Sequence, residues 1–238
     1  VRDGYYVVVP QVVADLDNVT EATEVKFTED LNVTSNTTIH TQKATAAITI
    51  DGNGKSVVST AESADDFQWE NGQFPAMSTI FSSVNGNKVT VSNLSFEGTM
   101  SALMLGHYVD SNSNWFNTVL NNVNVVNTEV VSFSQNIAPA VCVYGKATLN
   151  NCNIYGTTLS EPDTDPRWPV YDVAVVNEAV LTINNSNVGT IIAWAKSKVV
   201  VETGSVVESI KPIHTSMNTN GKYGFVIKAG ATVKVLDL

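Results

Sequence analysis

Only 13 of the 238 residues are Lys or Arg, two are Cys and three are His. Each scarcity removes a class of function. Against 23 Asp and Glu the few cations leave a formal charge of -10, and a field of that sign repels phosphate backbones and anionic lipid surfaces. Nucleic acid is therefore not an expected partner. The longest apolar runs, such as YYVVVP and TIIAW, fall far short of the roughly 20 residues a spanning helix needs, so no membrane insertion is expected. His40, His107 and His214 are scattered, and no spacing suggests a transition-metal site. Two cysteines make no disulfide framework, and Cys142 and Cys152 read as buried thiols packed as small apolar groups. The start, VRDGYY, has no basic region followed by an apolar one, as expected of a mature exported chain whose signal has been removed.

What the chain does have is Asn, Thr, Ser and Val, and it arranges them repeatedly. VTVSNLSFEG (89–98), TVLNNVNVVN (118–127), ATLNNCNIYG (147–156) and LTINNSNVGT (181–190) are near copies of one phrase. In register they align Asn93, Asn122, Asn151 and Asn185 at spacings of 29, 29 and 34 residues. Upstream, VKFTEDLNV (25–33) and ITIDGNGKSVV (48–58) fit the frame; downstream, VVVETGSVV (199–207) and ATVKVLDL (231–238) fit it more loosely. Each copy alternates apolar and polar residues, turns, and alternates again, which is the two-residue period of two short strands around a corner. IFSSV, SALMLG, AVCVYG, VAVVN, IIAWA and GFVIKA lay out as a third strand. Three short strands per irregular repeat predict an all-β solenoid of about eight rungs, each turn stacked on the last. At the corners, Asn tolerates unusual backbone angles and its amide can bond the same Asn one turn away, so the Asn ladder reads as architecture. The outward residues of the second strands, Asn32, Ser95, Asn124, Asn153, Asn187 and Ser205, predict a polar ribbon that binds more readily than it catalyses.

Phrases such as ATLNNCNIYG and LTINNSNVG resemble the right-handed parallel β-helix of pectate-lyase-like proteins, and the resemblance covers nearly the whole chain. It implies one domain over 1–238, with a short N-terminal capping helix in 1–24 and rungs over 25–238. It also implies a bacterial protein that is secreted or held at the cell surface. Lyases of this kind hold calcium with carboxylates from neighbouring turns and use an Arg or Lys base; hydrolases use clustered aspartates. The aligned third strands carry no Asp or Glu, and the hydrolase signatures are missing: GHY at 106–108 departs from Gly-His-Gly, and Asp65-Asp66 sits in a loop.

Function on a solenoid is expected in loops inserted at corners, here 59–77, 107–117, 128–139, 157–172 and 211–223. They hold three of the four tryptophans, each beside polar groups: Trp69 with Asp65, Asp66 and Glu70, Trp115 with Asp110, and Trp168 with Asp163, Asp165 and Arg167. Exposed rings beside hydrogen-bonding groups suit the apolar face and hydroxyl rim of a sugar. The leading expectation is non-catalytic binding of carbohydrate, as a polysaccharide or cell-surface glycan, or of another surface ligand, through these loops. The alternatives are a lyase or hydrolase in which Asp163 and Asp165 hold calcium beside Arg167, and an adhesin stalk. The last rung, ATVKVLDL, shows no evident cap, so a further domain or a subunit contact is expected at that end.

Overall fold

The computed structural model of the chain describes residues 6–7, 16, 20–33, 46–60, 80–81, 88–100, 103–105, 117–130, 138–159, 170–194, 196–213 and 224–237. These residues form an all-β, parallel β-solenoid. Nineteen strands belong to one sheet, every pairing is parallel, and no described helix is long and apolar enough to cross a membrane. Numbered in chain order, the strands fall into three columns. The first column stacks β1 (Tyr6–Val7), β2 (Thr23–Lys26), the start of β4 (Ile48–Thr60), β6 (Lys88–Met100), β8 (Asn117–Asn121), the ends of β11 (Ala138–Asn150) and β14 (Val170–Asn184), β16 (Lys198–Val201) and β18 (Gly224–Ile227). In the second lie β3 (Leu31–Val33), the later halves of β4 and β6, β9 (Asn124–Val126), β12 (Asn153–Tyr155), and the starts of β15 (Asn187–Trp194), β17 (Val206–Ile213) and β19 (Thr232–Leu236). β10 (Glu129–Val130) and β13 (Thr158–Leu159) prolong it. The third column holds β5 (Ile80–Phe81), β7 (Leu103–Leu105), the starts of β11 and β14 and the ends of β15 and β17.

The two-residue period fills the interior as expected. Val91, Leu120, Leu149, Ile183 and Val201 stack as one inward ladder, and Phe96, Val125, Ile154, Val188 and Val207 as another, all buried. At the corner, Asn53, Asn93, Asn122, Asn151 and Asn185 have φ of 52°, 56°, 54°, 53° and 45°, the left-handed region that Asn tolerates. Their amides bond along the axis, Asn122 Nδ2 to Asn93 Oδ1 at 3.0 Å and Asn185 Nδ2 to Asn151 Oδ1 at 2.6 Å. Asn93 Nδ2 starts from the Asp51 carboxylate at 3.0 Å. Burial pushes the Asp51 carboxyl up, but the Asn93 amide, the Asn53 N–H and Lys26 outweigh it and hold it below the ordinary carboxylate value.

Five expectations are corrected. Among the described residues of 1–24 the expected capping helix is not seen: Tyr6 and Val7, both good strand formers, extend the parallel ladder on Val25 and Lys26, and Thr23 already belongs to β2. GFVIKA belongs to the first column, because Phe225 pairs with Val199; the strand that follows IIAWA in the third column is SIKPI, with Ile210 paired to Ile191. A two-residue period looks alike in every column, so only the pairing decides this. Ser205 is not on the outward ribbon: it is buried, accepts the Ser186 N–H and donates to Ile183 O at 2.9 Å, and Val206 takes the ribbon position instead. Asn32 faces outward but one ladder across, paired with Val58. Strand residues also occupy ends of the predicted inserts, at Ser59–Thr60, Asn117, Glu129–Val130, Thr158–Leu159, Val170–Asp172 and Lys211–Ile213.

Both cysteines are free and buried. Cys152 sits in the main core and donates its thiol to Leu120 O and Asn150 O at 3.4 Å. Cys142 joins an apolar cluster with Tyr144, Tyr171, Ala174, Val176 and Ile192. Burial pushes the Cys142 thiol up to about 12, against a smaller downward pull from Tyr144, and burial also raises Cys152. The thiolate is the reactive form, so a disulfide-exchange reagent at pH 8 is expected to leave both thiols untouched in the folded protein and to titrate both in concentrated guanidinium. Rapid native reaction of either would show that its surroundings open readily.

Candidate functional site

The binding residues read from the sequence, Asp65, Asp66, Trp69, Glu70, Asp110, Trp115 and Trp168, and the catalytic and calcium candidates Asp163, Asp165 and Arg167, all lie outside the described residues. Among the described residues no group of three or more His, Cys, Asp or Glu is placed to hold a metal ion.

What the described residues do form is a surface hollow of about 390 Å³ beside the second column. It exists because one outward position has no side chain. Along this ladder Tyr155, Glu208 and Lys234 project from β12, β17 and β19, but β15 offers Gly189. A Cβ on Gly189 would overlap Asp172 Oδ2, so the glycine is what admits that carboxylate. Asp172 is buried, and its Oδ1 accepts the Thr157 N–H and hydroxyl at 3.0 and 2.7 Å while Oδ2 accepts the Thr190 N–H at 2.6 Å. With three donors on two oxygens, it ties the chain after β12 to the middle of β15. That is a brace, and it forms one wall of the hollow.

The other walls are open to ligand. Tyr155 is 43% exposed, one of the few large apolar side chains so exposed among the described residues. Glu208 and Lys234 meet at 2.6 Å with both side chains about half exposed, an ion pair that solvent screens and a ligand can separate cheaply. Behind them runs the amide ladder of the ribbon: Asn124 Nδ2 donates to Ser95 Oγ at 3.3 Å, Asn153 Nδ2 to Asn124 Oδ1 at 2.9 Å and Asn187 Nδ2 to Asn153 Oδ1 at 2.9 Å. Val206 follows and offers no donor, so the ladder ends at the hollow on the Asn187 carbonyl oxygen. Chained amides polarise one another, which makes that terminal oxygen a good acceptor. An aromatic face, an amide oxygen, a carboxylate and an ammonium thus border one cavity.

Sequence reasoning placed Asn187 on a binding ribbon but missed Tyr155, Asp172, Glu208 and Lys234. The usable signal was small: NIYGT and NVGT differ in length by one residue, and the shorter phrase leaves the gap that Asp172 of VYDVAVV enters. Comparison of the chain with protein-family models, with curated proteins and with solved structures finds no match.

Proposed function

We propose that this protein is a right-handed parallel β-helix of the pectate-lyase-like kind, of about eight rungs, that works outside the cell or at its surface by binding carbohydrate without chemical conversion. The observation that carries the reading is the hollow, in which an exposed Tyr155 ring stands over acceptors and a donor spaced along one ladder. Stacking on a ring plus hydrogen bonds to Asn187 and Glu208 is how a neutral, hydroxyl-rich ligand is held without a deep pocket. Trp69, Trp115 and Trp168, which lie outside the described residues, are the further aromatic candidates for the same ligand.

Calorimetric titration against a panel of neutral oligosaccharides, with product analysis in the presence and absence of calcium, tests it. Binding without products, weakened about tenfold in Tyr155→Ala, is the expected result; tenfold is roughly one aromatic contact of 1.4 kcal/mol. Calcium-dependent release of products would transfer the reading to Asp163, Asp165 and Arg167 and a lyase or hydrolase. No binding to any sugar would leave the solenoid as a stalk.

A further inference from the structure

We propose a second and separate binding surface, the outward face of the first column, which takes a linear acidic polysaccharide laid along the solenoid axis and held by Lys88, Lys146 and Lys198. The three lysines stand at one register position: Lys88 pairs with Asn117, Asn117 with Lys146, Lys146 with Val180 and Val180 with Lys198. A lysine therefore recurs on every second strand, and with strands about 4.8 Å apart neighbouring ammonium groups are anchored on the order of 10 Å apart in a straight line. All three are exposed. Lys26, Lys196 and Lys234 each have a carboxylate partner, and these three have none among the described residues.

The rest of the face has the same character. Beside the lysines the same strands turn out threonine or valine, and then the amide ladder that runs from Ser92 through Asn121 and Asn150 to Asn184. Those amides bond one another at 2.8 to 3.2 Å and so lie along the face instead of projecting from it. No carboxylate points outward from the five strands between Lys88 and Val201, in a chain that has 23 acids. Asp51 and Glu202 come only at the two ends, and Glu178 at the neighbouring corner is held by Lys196 at 2.8 Å. A floor of threonine, valine and amide groups, edged by cations with no carboxylate partner among the described residues, is complementary to a polymer that is anionic and hydroxylated.

The spacing selects among polyanions. A pyranosyl unit is about as long as one strand spacing, so a glycan with an acidic group on alternate sugars meets a lysine on alternate strands. Nucleic acid fits less well: a duplex strand carries a phosphate every ~3.4 Å, the described residues of the face include no aromatic ring to stack a base, and the chain's charge of -10 repels a dense polyanion. The same net charge keeps the affinity modest and makes it fall steeply with salt.

Affinity electrophoresis and calorimetry at low ionic strength test the proposal with hyaluronan, which has one carboxylate per disaccharide, beside neutral dextran and single-stranded oligothymidylate. The intact chain is expected to bind hyaluronan and not dextran. The triple variant Lys88→Gln, Lys146→Gln, Lys198→Gln should bind at least tenfold more weakly with unchanged circular dichroism, and the corresponding Lys→Arg triple should stay within about threefold. Tyr155→Ala should leave hyaluronan binding intact, which separates this surface from the hollow. Absence of hyaluronan binding, equal binding by the Gln triple, retention by dextran, or tighter binding of oligothymidylate would each overturn it.

Discussion

Asp172→Ala is expected to lower the stability of the protein by about 3–5 kcal/mol, because a buried acceptor with three donors disappears at once. Two of the donors are backbone N–H groups, of Thr157 and Thr190, and neither can turn elsewhere. A hydrogen bond to a charged group is worth about 1.5–3 kcal/mol, and leaving its partner unsatisfied adds a desolvation penalty. Asp172→Asn is the informative control. Its one carbonyl oxygen can serve either Thr157 or Thr190, but the NH2 then faces a donor, so a smaller loss of about 2 kcal/mol is expected. Urea unfolding at pH 7 checks both, read as a shift of midpoint at constant slope. A loss under about 1 kcal/mol in Asp172→Ala would mean that water replaces the carboxylate, and the brace would be incidental. The same strut shapes the hollow, so the Ala variant should also bind any ligand of the hollow more weakly.

Much of the fold was legible because it is written in periods. Inward Val91, Leu120, Leu149 and Ile183 and corner Asn93, Asn122, Asn151 and Asn185 recur where a two-residue strand period and a left-handed corner demand them. The errors came where several backbones satisfy one pattern. GFVIKA suits any column, and only pairing of Phe225 with Val199 assigns it. In TGSVV the alternation left the register open by one residue, and a buried hydroxyl satisfied by Ile183 O and Ser186 N–H settled it with Ser205 inward. A one-residue slip of this kind exchanges the faces of a strand.

The site was much less legible. Tyr155, Gly189, Glu208 and Lys234 come from four different strands, and nothing local in NIYG, NVGT, VVES or TVKVL says that they share a ladder. Asp172 is read as part of an insert from its sequence alone; it becomes a wall of the hollow only because Gly189, seventeen residues on, leaves room for it. The lysine stripe has the same origin. Lys88, Lys146 and Lys198 are unremarkable one at a time, and their alignment is a product of register. Chain-level charge also misleads here, since -10 is an average that conceals five neighbouring strands, from Lys88 to Val201, that turn out no acid.

Truncating the middle of the solenoid is expected to cost far more than truncating its last rung. Leu149 is fully buried, stacked between Leu120 and Ile183 in one inward ladder, so Leu149→Ala opens a cavity that rigid backbone on both sides cannot close. A loss of about 3–5 kcal/mol follows from the usual sum of transfer and cavity terms. Val233 occupies the equivalent interior of the second column, pairs with Val207, and is only partly buried, with Val235 and Leu236 nearby at 52% and 38% exposure. Val233→Ala should cost no more than about 1 kcal/mol, since a side chain that is only partly buried withdraws less apolar surface from water. The contrast has a second consequence, because each rung of a solenoid touches only its neighbours and cooperativity passes through every interface in turn. A weakened central rung should let the two halves unfold separately, seen as a lower urea slope for Leu149→Ala and an unchanged one for Val233→Ala. Equal losses and equal slopes for the two variants would contradict a stacked interior, since only stacking makes position along the axis matter.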